Sequence, residues 1–121
     1  MSFYVPYSDL PREAVALDSA IESLREELEA TNLYHQRYLV LADESLKKMM
    51  LHNRDEEIEH CAMLIEWLRR EVPEFDRELR KYLFTDAGIM DIEAAPAGEG
   101  NAGKPAGGSL GIGSLRGNRR L

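Results

Sequence analysis

The 121 residues suffice for one small domain. Hydrophobic residues make up 44%, charged residues 31%, and the formal net charge is −7, a soluble composition with no apolar run of membrane length. Residues 1–91 hold 11 Lys+Arg against 20 Asp+Glu, or −9, and residues 92–121 hold 4 against 2, or +2. An acidic body repels nucleic-acid phosphates and suits cations. MSFYVPYSDL has no basic stretch ahead of an apolar one, so no signal peptide is expected and the expected location is cytoplasmic. Cys61 is alone, which excludes an intramolecular disulfide and makes a small buried hydrophobe its expected role.

Residues 1–9 form an N-terminal arm rich in aromatics. Asp9 or Ser8 is placed to cap a first helix whose first turn contains Pro11. Leu10, Ala14, Leu17, Ile21, Leu24 and Leu28 then recur at alternating spacings of four and three, and the stripe continues through Thr31, His35 and Tyr38. This predicts a helix over about 10–41. ADES (42–45) reads as a short polar turn with Asp43 as the next cap, and a second helix follows over about 44–71, stopped by Pro73. So short a turn makes the two helices antiparallel neighbours. PEFDRELRKYLF predicts a short third helix over 73–84.

The expected organisation is therefore all-α: a helical hairpin domain over 10–90, a flexible linker over 91–106, and a terminal segment, 107–121, that is disordered apart from a few apolar residues. The linker contains EAAPAGEGNAGKPAGG (93–108), which has no large apolar residue. A two-helix hairpin has little interior, so its apolar stripes require self-association.

Helix 2 places Leu46, Met50, Asn53, Glu57, His60, Leu64 and Trp67 along one stripe, apolar at both ends and polar in the middle. An ionised carboxylate on a buried face costs several kcal/mol without a partner, and a cation would supply one. Glu57 and His60 are three apart and face the same way. A Glu-x-x-His pair is one half of a carboxylate-bridged di-iron site, which needs two such pairs and one Glu from each of two further helices. Helix 1 offers Glu27, with Tyr34 seven residues on along the same side. The chain thus carries half of a dinuclear site, and a two-fold dimer of hairpins would complete both the site and a four-helix arrangement. Carboxylate and imidazole ligands suit iron, manganese or zinc. Against this stands a plain solvated charge cluster. Asp55, Glu56 and Glu59 read as a solvated face, His35 and His52 as structural or surface histidines, and Met49, Met50 and Met63 as core filler.

EELEATNLYHQR (26–37), HNRDEEIEHCAMLIEWLRR (52–70) and KYLFTDAGI (81–89) resemble the encapsulated ferritins, ferritin-like ferroxidases housed in encapsulin shells, and GGSLGIGSLRG (107–117) resembles the peptide that docks such cargo on the shell wall. The resemblance implies a ferritin-like arrangement of hairpin subunits, di-iron sites between two subunits, and a ring of ten. It implies Glu27, Glu57 and His60 as iron ligands, with Glu57 bridging and Glu27 terminal, and Tyr34 beside the site. Glu26 and Glu29 match carboxylates implicated in admitting iron or in a secondary metal site; where the family carries a Trp before that tyrosine, this chain has Leu33. The implied activity is oxidation of Fe(II) by O2 for iron storage within the shell, with two irons per subunit pair and Leu110, Ile112 and Leu115 as the docking side chains. The alternatives are a non-catalytic helical scaffold docked to the shell, or a di-metal peroxidase.

Overall fold

The structure is a computed structural model in which residues 3–96 are described. These residues are helical throughout, without strands: a 3-10 turn at Tyr7–Asp9, then α1 (Arg12–Val40), α2 (Glu44–Glu71), α3 (Pro73–Tyr82) and α4 (Ile89–Ala94). They fall into two compact units divided between Glu71 and Val72, and each unit is described by itself. The expected linker and terminal peptide, including Leu110, Ile112 and Leu115, lie outside the described residues from 97 onward.

In the first unit, α1 and α2 pack on each other as an antiparallel hairpin. Each is about 43 Å long at 1.5 Å per residue. The start of α1 departs from expectation. Neither Ser8 nor Asp9 caps it, because both sit in the preceding 3-10 turn; Pro11 is the N-cap, extended and without a side-chain bond. The start of α2 is as expected: Asp43 Oδ1 accepts the Leu46 N–H at 2.8 Å. Glu44 opens α2 and Arg69 and Arg70 close it, both favourable to the helix dipole. Val72 is extended ahead of Pro73 (φ −123°, ψ 104°), the conformation a following proline imposes, and this ends α2.

Packing distributes the apolar residues differently from the predicted stripes. On α1 the covered columns, in steps of seven, are Ala20, Glu27 and Tyr34, and Leu17, Leu24, Thr31 and Tyr38; Ile21 and Leu28 of the predicted stripe are exposed. On α2 the covered columns are Lys47, Arg54, Cys61 and Leu68, and Met50, Glu57 and Leu64. A strict seven-residue repeat drifts by about 20° per heptad around a straight helix, and a single partner helix covers only one side of so wide a face. Among the described residues only Ala20, Cys61 and Leu68 are buried. Cys61 is the small buried hydrophobe expected, whereas Met49 and Met63 are exposed rather than core filler. Ile21, Leu28, Leu46, Ile58, Met63 and Trp67 remain open on the hairpin.

In the second unit α3 begins with Pro73 at its first turn and packs against α4. It ends two residues short of the predicted limit. Leu83 is extended and Phe84 takes φ 63°, a left-handed turn that closes a helix at some steric cost for a residue with a Cβ. The helix α4, not expected from the sequence, runs from Gly88 as N-cap through residues 89–94.

Candidate metal centre

Glu27 lies in the covered column of α1 that contains Ala20 and Tyr34, and Glu57 lies in a covered column of α2 between Met50 and Leu64. A buried-facing position would normally take an apolar side chain. His60, one turn past Glu57, stands at the edge of the hairpin in the column of Asn53 and Trp67. Side-chain exposures are 28% for Glu27, 21% for Glu57 and 44% for His60. The cluster is therefore half-sunk in the helix interface, with its histidine toward the open face.

One ligand atom from each of the three residues lies within 4.8 Å of the others, a group able to hold a metal ion. His60 Nδ1 is 3.3 Å from Glu27 Oε1 and 3.4 Å from Glu57 Oε1. Two carboxylates and an imidazole are hard and borderline donors suited to iron, manganese or zinc. Without a metal, protons hold the cluster together. The Glu27 carboxylate, through a hydrogen bond, pushes the Glu57 carboxyl above its ordinary value; desolvation and direct repulsion from Glu27 add to this, while His60 opposes it. The same Glu27 carboxylate raises His60, first by hydrogen bonding and then by charge, with Glu57 adding to it.

The other residues singled out from sequence are not part of this cluster. Glu26 and Glu29 are exposed, and Glu29 stands 4.0 Å from Arg25 in an ion pair. Tyr34 is half-buried two turns from Glu27, with the Arg37 guanidinium 6.0 Å from its ring centre. Asp55, Glu56 and Glu59 are exposed, as a solvated face requires; His52 is 3.9 Å from Glu56 in a surface pair. Sequence reasoning placed Thr31 on the helix 1 stripe without a role; its hydroxyl donates to the Glu27 carbonyl at 2.8 Å. Such reasoning passed over the Arg54–His35 contact at 3.1 Å across the hairpin. The signal for Arg54 was its place seven residues before Cys61 and fourteen before Leu68.

The chain's relatives agree with this architecture. A family model described as EncFtn-like matches residues 2–86. An "Encapsulated ferritin-like protein" of Rhodospirillum rubrum is 47% identical over 128 aligned positions, covering 99% of this chain and 91% of its own length. A "Ferritin-like protein" of Thermotoga maritima is 46% identical over 113 residues, 93% of this chain and 96% of its own. The crystal structure of a Nitrosomonas europaea protein superposes with a TM-score of 0.71 at 50% identity, over 74% of this chain and 98% of that one. On the match to its hairpin sequence and on these identities, the chain belongs to the EncFtn-like family of encapsulated ferritin-like proteins.

Proposed function

We propose that the protein is a ferroxidase that binds two Fe(II) ions between two subunits and oxidises them with O2 inside an encapsulin shell. The observation that carries this reading is the convergence of Glu27, Glu57 and His60 at the edge of a hairpin whose neighbouring apolar residues are uncovered. One chain offers two carboxylates and one imidazole. A ferritin-like dinuclear site takes four carboxylates and two histidines, and a two-fold pair of hairpins supplies that set. The same pairing would cover Ile21, Leu28 and Trp67.

In this reading iron is the substrate. Glu57 and His60 meet the cation as carboxylate and neutral imidazole, and the negative charge of Glu27 and Glu57 neutralises the incoming cations. The Glu57 carboxylates bridge the two ions, Glu27 binds one ion terminally, and His60 completes each ligand set. Each iron gives one electron to O2. Tyr34 lies beside the site, and Glu26 and Glu29 on the exposed side of α1 draw cations toward it. Residues 107–117, through Leu110, Ile112 and Leu115, dock on the shell as a short extended peptide, and a ring of ten subunits would multiply their avidity. The name of the Rhodospirillum rubrum relative, encapsulated ferritin-like protein, supports the shell as partner.

The test is anaerobic Fe(II) loading with the oligomer followed by ultracentrifugation, then admission of O2. About one iron per chain, bound only in dimers or larger species and oxidised at a rate lost in Glu57→Ala, is the expected result. Absence of stoichiometric iron, or a Glu57→Ala variant with the full rate, would refute it. Truncation after residue 106 should abolish shell association and leave oxidation intact.

A further inference from the structure

The fully buried residues of the α1–α2 interface lie on one side of the metal cluster. Ala20 is seven residues before Glu27, and Leu68 is eight residues after His60, so the buried residues run from the cluster toward the end of α2. Toward the interhelical loop no residue of either helix is buried. There half-buried Thr31, Tyr34, Tyr38 and Met50 line the interface, the Lys47 ammonium stands 5.5 Å from the Tyr38 ring centre, and Arg54 Nη1 meets His35 Nδ1 at 3.1 Å.

Arg54 occupies the column of α2 that becomes Cys61 and Leu68 one and two heptads later, and its side chain is 25% exposed. A guanidinium in that position is costly unless its donors are satisfied. Asp55 Oδ1 accepts from Nε at 3.1 Å and from Nη2 at 2.8 Å, and His35 accepts from Nη1. Arginine only donates, so in this contact His35 Nδ1 is the acceptor.

His35 is eight residues beyond Glu27 on α1, and Arg54 is six before His60 on α2. These are about 12 Å and about 9 Å along the two axes, a mismatch the long arginine stem spans. The cluster is thus bracketed by the buried Ala20, Cys61 and Leu68 on one side and by a half-buried stretch that includes the Arg54–His35 bridge on the other. A directional polar contact specifies helix register well, as buried polar residues do in coiled coils.

We propose that Arg54 and His35 are positioning residues: their bridge holds α1 and α2 in the register at which Glu27 faces Glu57 and His60. The inference rests on the reading of that cluster as a metal site. It is tested on the full chain with Co(II) as probe, using Arg54→Met, His35→Leu, the double variant, and His35→Gln, whose amide oxygen still accepts. Arg54→Met and His35→Leu should each weaken Co(II) binding about tenfold, the double variant should bind no more weakly than the weaker single, and His35→Gln should stay within about twofold of the parent. Unchanged affinity in the singles, additive losses in the double, or a fall in Tm with no loss of affinity would overturn the proposal.

A parent that binds no Co(II) would instead refute the metal reading. The register claim is then decided without metal, by spin labels at Arg25→Cys and Glu59→Cys on a Cys61→Ala background, diluted with unlabelled protein. Arg54→Met should broaden the distance distribution between the labels, and an unchanged distribution would overturn the inference.

Discussion

Metal uptake by this cluster should release protons, and the number follows from its geometry. His60 is raised above its ordinary value of 6.5 by the Glu27 and Glu57 carboxylates. At pH 6.0 an imidazole of ordinary pKa is about three-quarters protonated, so His60 holds most of one proton there. Glu57 is raised above 4.5, chiefly by its hydrogen bond with the Glu27 carboxylate. A divalent cation that takes the ligands in their unprotonated forms must displace the His60 proton, so the apparent Zn(II) affinity should rise with pH around pH 6. Both raised groups bind protons more tightly folded than unfolded, so the metal-free protein loses their stabilisation as pH rises. For His60 the loss runs from 6.5 up through its raised value, and for Glu57 from 4.5 up through its own.

The assay is calorimetric titration of metal-free protein with Zn(II), which is redox-silent, in paired buffers of different ionisation enthalpy at pH 6.0 and pH 7.5. The dependence of heat on buffer counts the protons. Most of one proton per chain at pH 6.0, falling at pH 7.5, is expected. Zero protons at pH 6.0, or the same affinity at both pH values, would show that Glu57 and His60 do not exchange protons for the cation.

Leu68→Ala, at the most deeply buried side chain (1% exposed), should cost about 3 kcal/mol in chemical denaturation. Asp43→Ala removes the cap on the Leu46 N–H and should cost about 1 kcal/mol, leaving Zn(II) stoichiometry unchanged. Glu66 is held down to about 2 by hydrogen bonds from Arg69 and Arg70. Its contribution to stability is present above pH 4.5 and disappears as the pH falls through 2; because its side chain is 42% exposed, Glu66→Gln should change Tm at pH 7 by only a degree or two, less in 1 M salt. Zn(II) at 100 times its Kd stabilises the form that binds it by about 2.7 kcal/mol. Sedimentation should therefore show Zn(II) shifting monomers into dimers if the site is shared, and no shift would mean that one chain completes it alone.

The hairpin was legible because each of its boundaries has a local cause: Asp43 caps α2, Pro73 forbids its continuation, and three residues between α1 and α2 leave no choice but an antiparallel return. The grouping of Glu27 with Glu57 and His60 was legible because polar residues interrupted a stripe at helical spacing. What was not legible is which side of each stripe the partner helix covers. Ile21 and Leu28 belong to the apolar repeat as fully as Leu24 does, yet they are exposed while Leu24 is half-buried, and the choice is made by the crossing of two helices rather than by either alone. The beginning of α1 at Arg12 and the left-handed Phe84 were missed for a similar reason. The Tyr7–Asp9 turn takes up both expected capping residues, and no glycine marks the end of α3.

That unresolved choice of side carries the functional argument furthest. A monomer built for stability would have turned Ile21, Leu28 and Trp67 inward and left Glu27 and Glu57 in water. Here Glu27 and Glu57 are half-sunk in the helix interface, while Ile21, Leu28 and Trp67 stay exposed. Each arrangement alone is unfavourable, one by desolvating charge and the other by exposing hydrocarbon. They become favourable together when a cation neutralises the carboxylates and a second hairpin covers the hydrocarbon. The stability of the assembled form then depends on the ion it binds, so loss of the metal should loosen the pair of chains before it unfolds either one.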